Sequence, residues 1–210
     1  MTFVPTRDRR RGPGLSRLPA GISSVELVVV MALTAALAAA TARGAFQLQS
    51  ALAVRSAAAE LAATFFRARA FAIARGVSVG VKFRKDGGRY EWALYRDGNG
   101  NGIRSAEIAS GVDRSLGIAV AWQRNDVRPG ILEGGSVPDP STPGQKLDRP
   151  DDPIRFGSSD ICSFSPVGES TPGSVYLWDG RDRMAVVRIF GRSAKVRTLY
   201  YFRGEKSWRK

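Results

Sequence analysis

The segment "DGNGNGIRSAEI" (residues 97–108) sets Asp97, Asn99 and Asn101 at alternate positions, with Gly102 next. An EF-hand calcium loop begins this way, because short oxygen-bearing side chains and a glycine bend can wrap a hard cation. The bidentate acid that closes such a loop belongs at its twelfth position, which here is Ile108, while Glu107 falls one residue early. No helix is expected on either side. The spacing therefore favours a turn built from Asn and Gly, with weak calcium binding as the open alternative.

Nucleophilic chemistry has little to work with. The chain of 210 residues holds no histidine, which removes Ser-His-Asp and Cys-His catalysis and the commonest zinc ligand. "SPVGES" (residues 165–170) lacks the G-x-S-x-G order and reads as turn chemistry. The lone Cys162 cannot form an intrachain disulfide and has no C-x-x-C partner. Its plain reading is a small buried thiol. No paired carboxylates or phosphate loop stand out, so neither an enzyme nor a cofactor is expected.

Basic chemistry is abundant. Lys and Arg number 32 against 19 Asp and Glu, a formal net charge of +13. Such a surface attracts phosphate, anionic lipid or acidic partners. The final stretch, "GRSAKVRTLYYFRGEKSWRK", interleaves Arg192, Lys195, Arg197, Arg203 and Lys206 with Tyr200, Tyr201, Phe202 and Trp208. Cations and aromatics in alternation could grip a nucleic-acid backbone and stack on bases. The same alternation also makes "KVRTLYYF" an ordinary strand with one solvated face.

The most informative single charge is Glu26. It stands directly before an uncharged run, Leu27 to Ala42, of about 16 residues or roughly 24 Å of helix. With Val25 and Ile22 added, the segment just reaches across a bilayer. An acidic side chain at the centre of a membrane helix costs about 2.5–3.5 kcal/mol, and one kept at such a cost marks a functional site. Before it, residues 1–20 hold Arg7, Arg9, Arg10, Arg11 and Arg17 against Asp8, a basic leader that stays cytoplasmic.

The elements that position these residues follow from periodicity. No proline occurs between Ile22 and Arg75, and Val54, Ala58, Leu61, Phe65, Ala68 and Ala72 recur at spacings of three and four. One long helix is expected, apolar over 22–43 and amphipathic over 44–75, with Gly76 as its stop. From residue 76 to 210 the period becomes two in "VSVGVKF", "YEWALYR" and "GIAVAW", and further strands are expected at "IRF", "CSFSPVG", "SVYLWD", "MAVVRIF" and "AKVRTLYYF". Residues 129–153 hold six prolines and read as a long surface loop. The expected class is α+β: a long N-terminal helix, transmembrane and then amphipathic, packed on an antiparallel sheet domain.

A basic leader ending in Gly21, an apolar Ile22, Ser23-Ser24, and Glu26 five positions into the remaining chain give "G|ISSVELVVVMALTAAL". This resembles the class III signal of type IV prepilins and pseudopilins, with Ile22 where Phe or Met is usual. "YEWALYRDGNGNGIRSAEI", the "FSPVG" strand and turn and the late "GRSAKV" strand resemble the pilin-like globular domain of the GspH/FimT group of minor pilins and pseudopilins. The resemblance covers about 21 to 202.

That resemblance implies a prepilin leader over 1–21, cleavage between Gly21 and Ile22 by a prepilin peptidase, and N-methylation of Ile22. Glu26 would meet the charged N-terminus of a neighbouring subunit. The chain would sit in the inner membrane as a single-pass protein, leader in the cytoplasm and sheet domain in the periplasm. From there it would join a type II secretion pseudopilus or a type IV pilus through contacts with other pilins or pseudopilins. Two alternatives stay open: a DNA-binding minor pilin acting in DNA uptake, using Arg192, Lys195, Arg197, Arg203 and Lys206, and a signal-anchored periplasmic protein unrelated to filaments.

Overall fold

The computed structural model describes residues 23–117, 120–122, 126–142 and 144–210; Gly21 and Ile22, where the sequence places a cleavage site, lie outside them. The architecture is mixed α+β: an apolar N-terminal helix, a second short helix and antiparallel β-sheets. Helix α1 (Ser24–Arg75) contributes to both of the two compact units into which the chain divides, Met1–Gly44 and Ala45–Lys210.

In the first unit Ser23 caps α1. Its hydroxyl accepts the Val25 N–H at 3.3 Å and its carbonyl accepts the Leu27 N–H at 3.0 Å, satisfying donors that a helix start otherwise leaves open. Ser24–Thr41 is long and apolar enough to cross a membrane, and none of it is buried. Its two threonines need no outside partner. Thr34 donates to the carbonyls of Val30 and Met31 at 2.9 and 3.0 Å, and Thr41 to those of Leu37 and Ala38 at 3.1 and 3.0 Å. Hydroxyls bonded back into their own helix suit an apolar surrounding.

In the second unit α1 buries one stripe, Val54, Ala58, Leu61, Phe65, Ala68 and Ala72, at the helical period read from the sequence. The helix ends where Gly76 takes φ +63° and the Val77 N–H reaches back to the Ala72 carbonyl at 3.3 Å, a left-handed close that glycine tolerates.

The stripe lies on one core with the inner residues of two antiparallel sheets. The first sheet is built on the hairpin β1 (Val79–Asp86) and β2 (Arg89–Arg96). Further along the chain, β3 (Arg114–Ser115) and β4 (Val120–Ala121) both pair with β2, and β7 (Ile161–Phe164) pairs with β1. The second sheet holds β5 (Arg128–Pro129), β6 (Ile154–Arg155), β8 (Gly173–Trp178), β9 (Arg183–Phe190) and β10 (Lys195–Phe202). Here β8 is central, paired with β9 on one side and with β5 and β6 in succession on the other. At the outer edge of β10, Tyr200 exchanges two backbone hydrogen bonds with Arg209, at 2.7 and 2.8 Å, as the chain turns back.

The second sheet is covered on both faces. Because side chains alternate along a strand, Val175, Leu177, Ala185, Val187 and Ile189 face the core shared with α1, whereas Tyr176, Trp178, Met184 and Val186 join a second cluster. That second cluster is closed by Ile131, Leu132 and Val137. The 129–153 stretch, expected to be a plain surface loop, therefore packs as a cover over the sheet, with Trp208 donating its indole N–H to the Pro138 carbonyl at 2.7 Å. Prolines and glycines shape its path, but four apolar side chains, the three buried ones and Leu147 packed beside them, decide where it lies.

One glycine marks the tightest approach. A Cβ at Gly173, the first residue of β8, would stand 2.2 Å from Phe156 Cδ1 and 2.4 Å from the Arg155 carbonyl oxygen. Backbone on one side and a fully buried ring on the other cannot both yield cheaply. Gly173→Ala is expected to cost at least about 1–3 kcal/mol by overpacking, read as a lowered thermal midpoint of the full chain in neutral detergent. An unchanged midpoint would show that β6 and β8 can part without penalty.

Candidate functional site

Three places on the chain carry side chains in numbers or settings beyond what packing requires: the start of α1, the Asp97 loop and the basic C-terminal region. Glu26 sits in the first turn of α1 and is exposed. There the unpaired N–H groups of the helix end favour a negative charge. Gly21 and Ile22 precede the described residues, so of the three expected processing and assembly positions only Glu26 has a structural setting.

The Asp97 loop is held together by its own carboxylates. Asp97 Oδ1 accepts the N–H groups of Asn99 and Gly100 at 3.0 and 2.7 Å, and its Oδ2 accepts that of Gly102 at 2.7 Å. Asp113, 1% exposed, accepts the N–H groups of Gly98 and Arg104 at 3.2 and 2.9 Å. Glu107 Oε1 takes the side-chain amides of Asn99 and Asn101 at 3.3 and 2.7 Å. Contrary to expectation a helix does follow: α2 (Ser105–Ser110), a six-residue piece closed by Gly111 at φ +78°. It is too short for periodicity to reveal, and Asp113 accepts the Arg104 N–H just before it. Among the described residues no group of three or more His, Cys, Asp or Glu is arranged to hold a metal ion.

Burial pushes the Asp97 carboxyl up, but the N–H groups of Gly102, Gly100, Asn99 and Asn101 outweigh it and hold the pKa below the ordinary value. A carboxylate with a lowered folded pKa stabilises the fold fully above its unfolded pKa of about 3.9, and the contribution vanishes as pH falls through the lower folded value. Asp97→Asn is expected to cost about 1–3 kcal/mol near neutrality, the scale of hydrogen bonds to a charged group. The gap from wild type should close in strong acid. A gap independent of pH would mean that the charge of Asp97 is irrelevant to the loop.

The basic candidates do not form one surface feature. Lys195 and Arg197 sit near the start of β10, where Arg197 lies over the Phe190 ring at 5.5 Å, and Arg192 is in the preceding turn. Arg203 and Lys206 follow the far end of the strand, roughly 26 Å away at strand rise. Arg203 is a structural clamp: its Nε donates to Asp182 Oδ1 at 2.6 Å, and its terminal nitrogens reach the carbonyls of Arg181 and Glu133 at 3.0 and 3.4 Å. Its charge is thus already engaged within the protein. The sequence hid this because Asp182 and Glu133 are distant along the chain.

Ser165 closes its turn as expected, its hydroxyl accepting the Glu169 N–H at 3.2 Å. Cys162 is fully buried, and burial pushes its thiol pKa well above the ordinary value.

One further feature escaped the sequence reading. On the side of α1 opposite the core, Leu48, Leu52, Ala59, Ala63, Phe66, Ala70 and Ile73 are exposed, with Leu48, Leu52, Phe66 and Ile73 each more than half so. Leu52, Ala59, Phe66 and Ile73 recur every seventh residue, the spacing of a seam that packs against another helix. The signal was present in the sequence but overlapped the buried stripe, so the helix reads as apolar on two sides. Compared with family models, with curated proteins and with solved structures, the chain matches none.

Proposed function

We propose that this chain is a minor pseudopilin or minor pilin of the GspH/FimT kind. It is a substrate of processing and a subunit of assembly, and it carries no catalytic role. The leader stays in the cytoplasm, a prepilin peptidase cuts between Gly21 and Ile22, and Ile22 is methylated. The mature subunit then leaves the inner membrane for a type II secretion pseudopilus or a type IV pilus, packing through α1 and displaying its pilin-like sheet domain in the periplasm.

The observation that carries this reading is the second apolar stripe of α1, Leu48, Leu52, Phe66 and Ile73. A helix that needed only an anchor and a core would be polar on its remaining face. A filament subunit must bury that face against neighbouring helices. Glu26 adds the matching electrostatic element, since a charged N-terminus of a neighbour would satisfy it in a low-dielectric bundle.

The test is the mass of the mature N-terminal peptide from a host with its own prepilin peptidase. An N-methylated Ile22 supports the reading. A start near Thr41 or Ala42 ends it in favour of a signal-anchored or secreted protein. The DNA-uptake alternative is weakened by the engagement of Arg203 with Asp182; it would return if duplex DNA were retarded with steep salt dependence.

A further inference from the structure

Within the second unit, α1 and the β9–β10 pair enclose a cleft of about 170 Å³. Sites for drug-sized ligands run to roughly 300–1,000 Å³, so this one suits a small group. Its walls carry four cationic side chains, Arg55 from α1, Arg183 from β9, and Arg209 and Lys210, against one acidic side chain, Glu205. Glu205 is taken by Arg209 at 2.8 Å.

Among the described residues the guanidinium groups of Arg55 and Arg183 make neither an ion pair nor a hydrogen bond, although the Arg183 backbone N–H donates to Asp179 Oδ1 at 3.1 Å. Each lies instead over an aromatic ring of β10. Arg55 Cζ is 5.6 Å from the Tyr200 ring centre and Arg183 Cζ is 4.9 Å from that of Phe202. A guanidinium held over a ring face is attracted through its charge and need not spend its edge donors. Tyr200 and Phe202 are two apart on one strand, so they present the two guanidinium groups on the same face.

We propose that this cleft binds a phosphoryl group, with Arg55 and Arg183 as its two forked donors. Arginine edges match phosphoryl oxygens in bidentate geometry, and two guanidinium groups outside any ion pair favour a phosphate over a neutral polar group. The group can come from inorganic phosphate or from the headgroup of an anionic phospholipid. The site stands whether or not Ile22 is methylated, and it does not use Arg192, Lys195, Arg197, Arg203 or Lys206.

Full-length protein in neutral detergent is titrated with inorganic phosphate, with sodium chloride at matched ionic strength as reference, and binding is read by calorimetry and thermal midpoint. In parallel it is placed in nanodiscs of phosphatidylcholine, alone or mixed equally with phosphatidylglycerol. Three proteins are compared: wild type, R55Q/R183Q, and R192Q/K195Q, which removes the same charge elsewhere. Binding is expected in wild type and R192Q/K195Q, and weakened by at least about tenfold in R55Q/R183Q, as for loss of one charge-assisted pair. A response to phosphate alone assigns the free anion, and a response to phosphatidylglycerol alone assigns the lipid headgroup. A response to both assigns the shared phosphoryl chemistry. No response beyond chloride and phosphatidylcholine, or an equal loss in both variants, overturns the proposal. Should R55Q/R183Q fail to fold, the single R55Q, at an exposed helix position, carries the same comparison.

Discussion

Phe65→Ala is expected to lower the stability of the Ala45–Lys210 unit by about 3–5 kcal/mol, against a native margin of about 5–15 kcal/mol. Phe65 is fully buried and is where helix and sheets meet. Its ring lies 6.2 Å from that of Phe83 on β1, 6.0 Å from Phe156 and 6.3 Å from Phe164 on β7, the first two edge-on. Phe83 and Phe156 stack in turn at 5.9 Å. Removing the central ring forfeits its transfer energy and three aromatic contacts, and the rings around it hang from β1, from β7 and from the residue after β6, so they cannot readily collapse together. Thermal unfolding of the full chain in neutral detergent, followed by near-ultraviolet circular dichroism, measures the loss. Phe65→Leu should retain most of the stability. A loss below about 1 kcal/mol for alanine would mean that the core does not close on this residue.

The second large effect is expected at Glu26. In the assembly reading its carboxylate and a neighbour's N-terminus satisfy each other in a bundle of apolar helices. Removing one member of such a pair leaves the other unpaired at a cost of about 3–5 kcal/mol. Glu26→Ala should therefore leave cleavage after Gly21 in place but reduce recovery of the subunit with sheared filaments by more than about tenfold, since each 1.4 kcal/mol is a factor of ten. Helix propensity works against this outcome, because alanine is the better helix former. A defect would thus report the lost charge and not a weakened helix. Normal incorporation of the alanine variant would remove Glu26 from the assembly mechanism.

The long helix and its buried stripe were legible because a 3.6-residue period survives over many turns: each of the six positions from Val54 to Ala72 named from spacing is buried. Strands β1, β2, β8, β9 and β10 were legible for the analogous reason, and the short β6 and β7 from "IRF" and "CSFSPVG". Their arrangement into two sheets was not, since alternation reports which faces are apolar and not which strand is the neighbour. It also failed to show that β8 and β9 are apolar on both faces. The 129–153 stretch was misread because prolines and glycines dominate its composition, while Ile131, Leu132, Val137 and Leu147 are too few and too scattered to form a pattern. Among the cations, abundance was plain and engagement was not. Arg203 meets Asp182, 21 residues away, whereas Arg55 and Arg183 come from distant segments to one cleft that no local motif announces.

The doubling back of the chain beside β10 bears on how copies of the chain can meet. An eight-residue strand at a sheet margin is a template on which another chain can extend the sheet, a common route to uncontrolled aggregation. Here the two hydrogen bonds between Tyr200 and Arg209 occupy part of that margin, so an incoming strand meets donors and acceptors already spent. Sheet extension is obstructed at that end of β10 from within the molecule, and in the assembly reading proposed above the heptad-spaced side chains of α1 are the surface along which copies add.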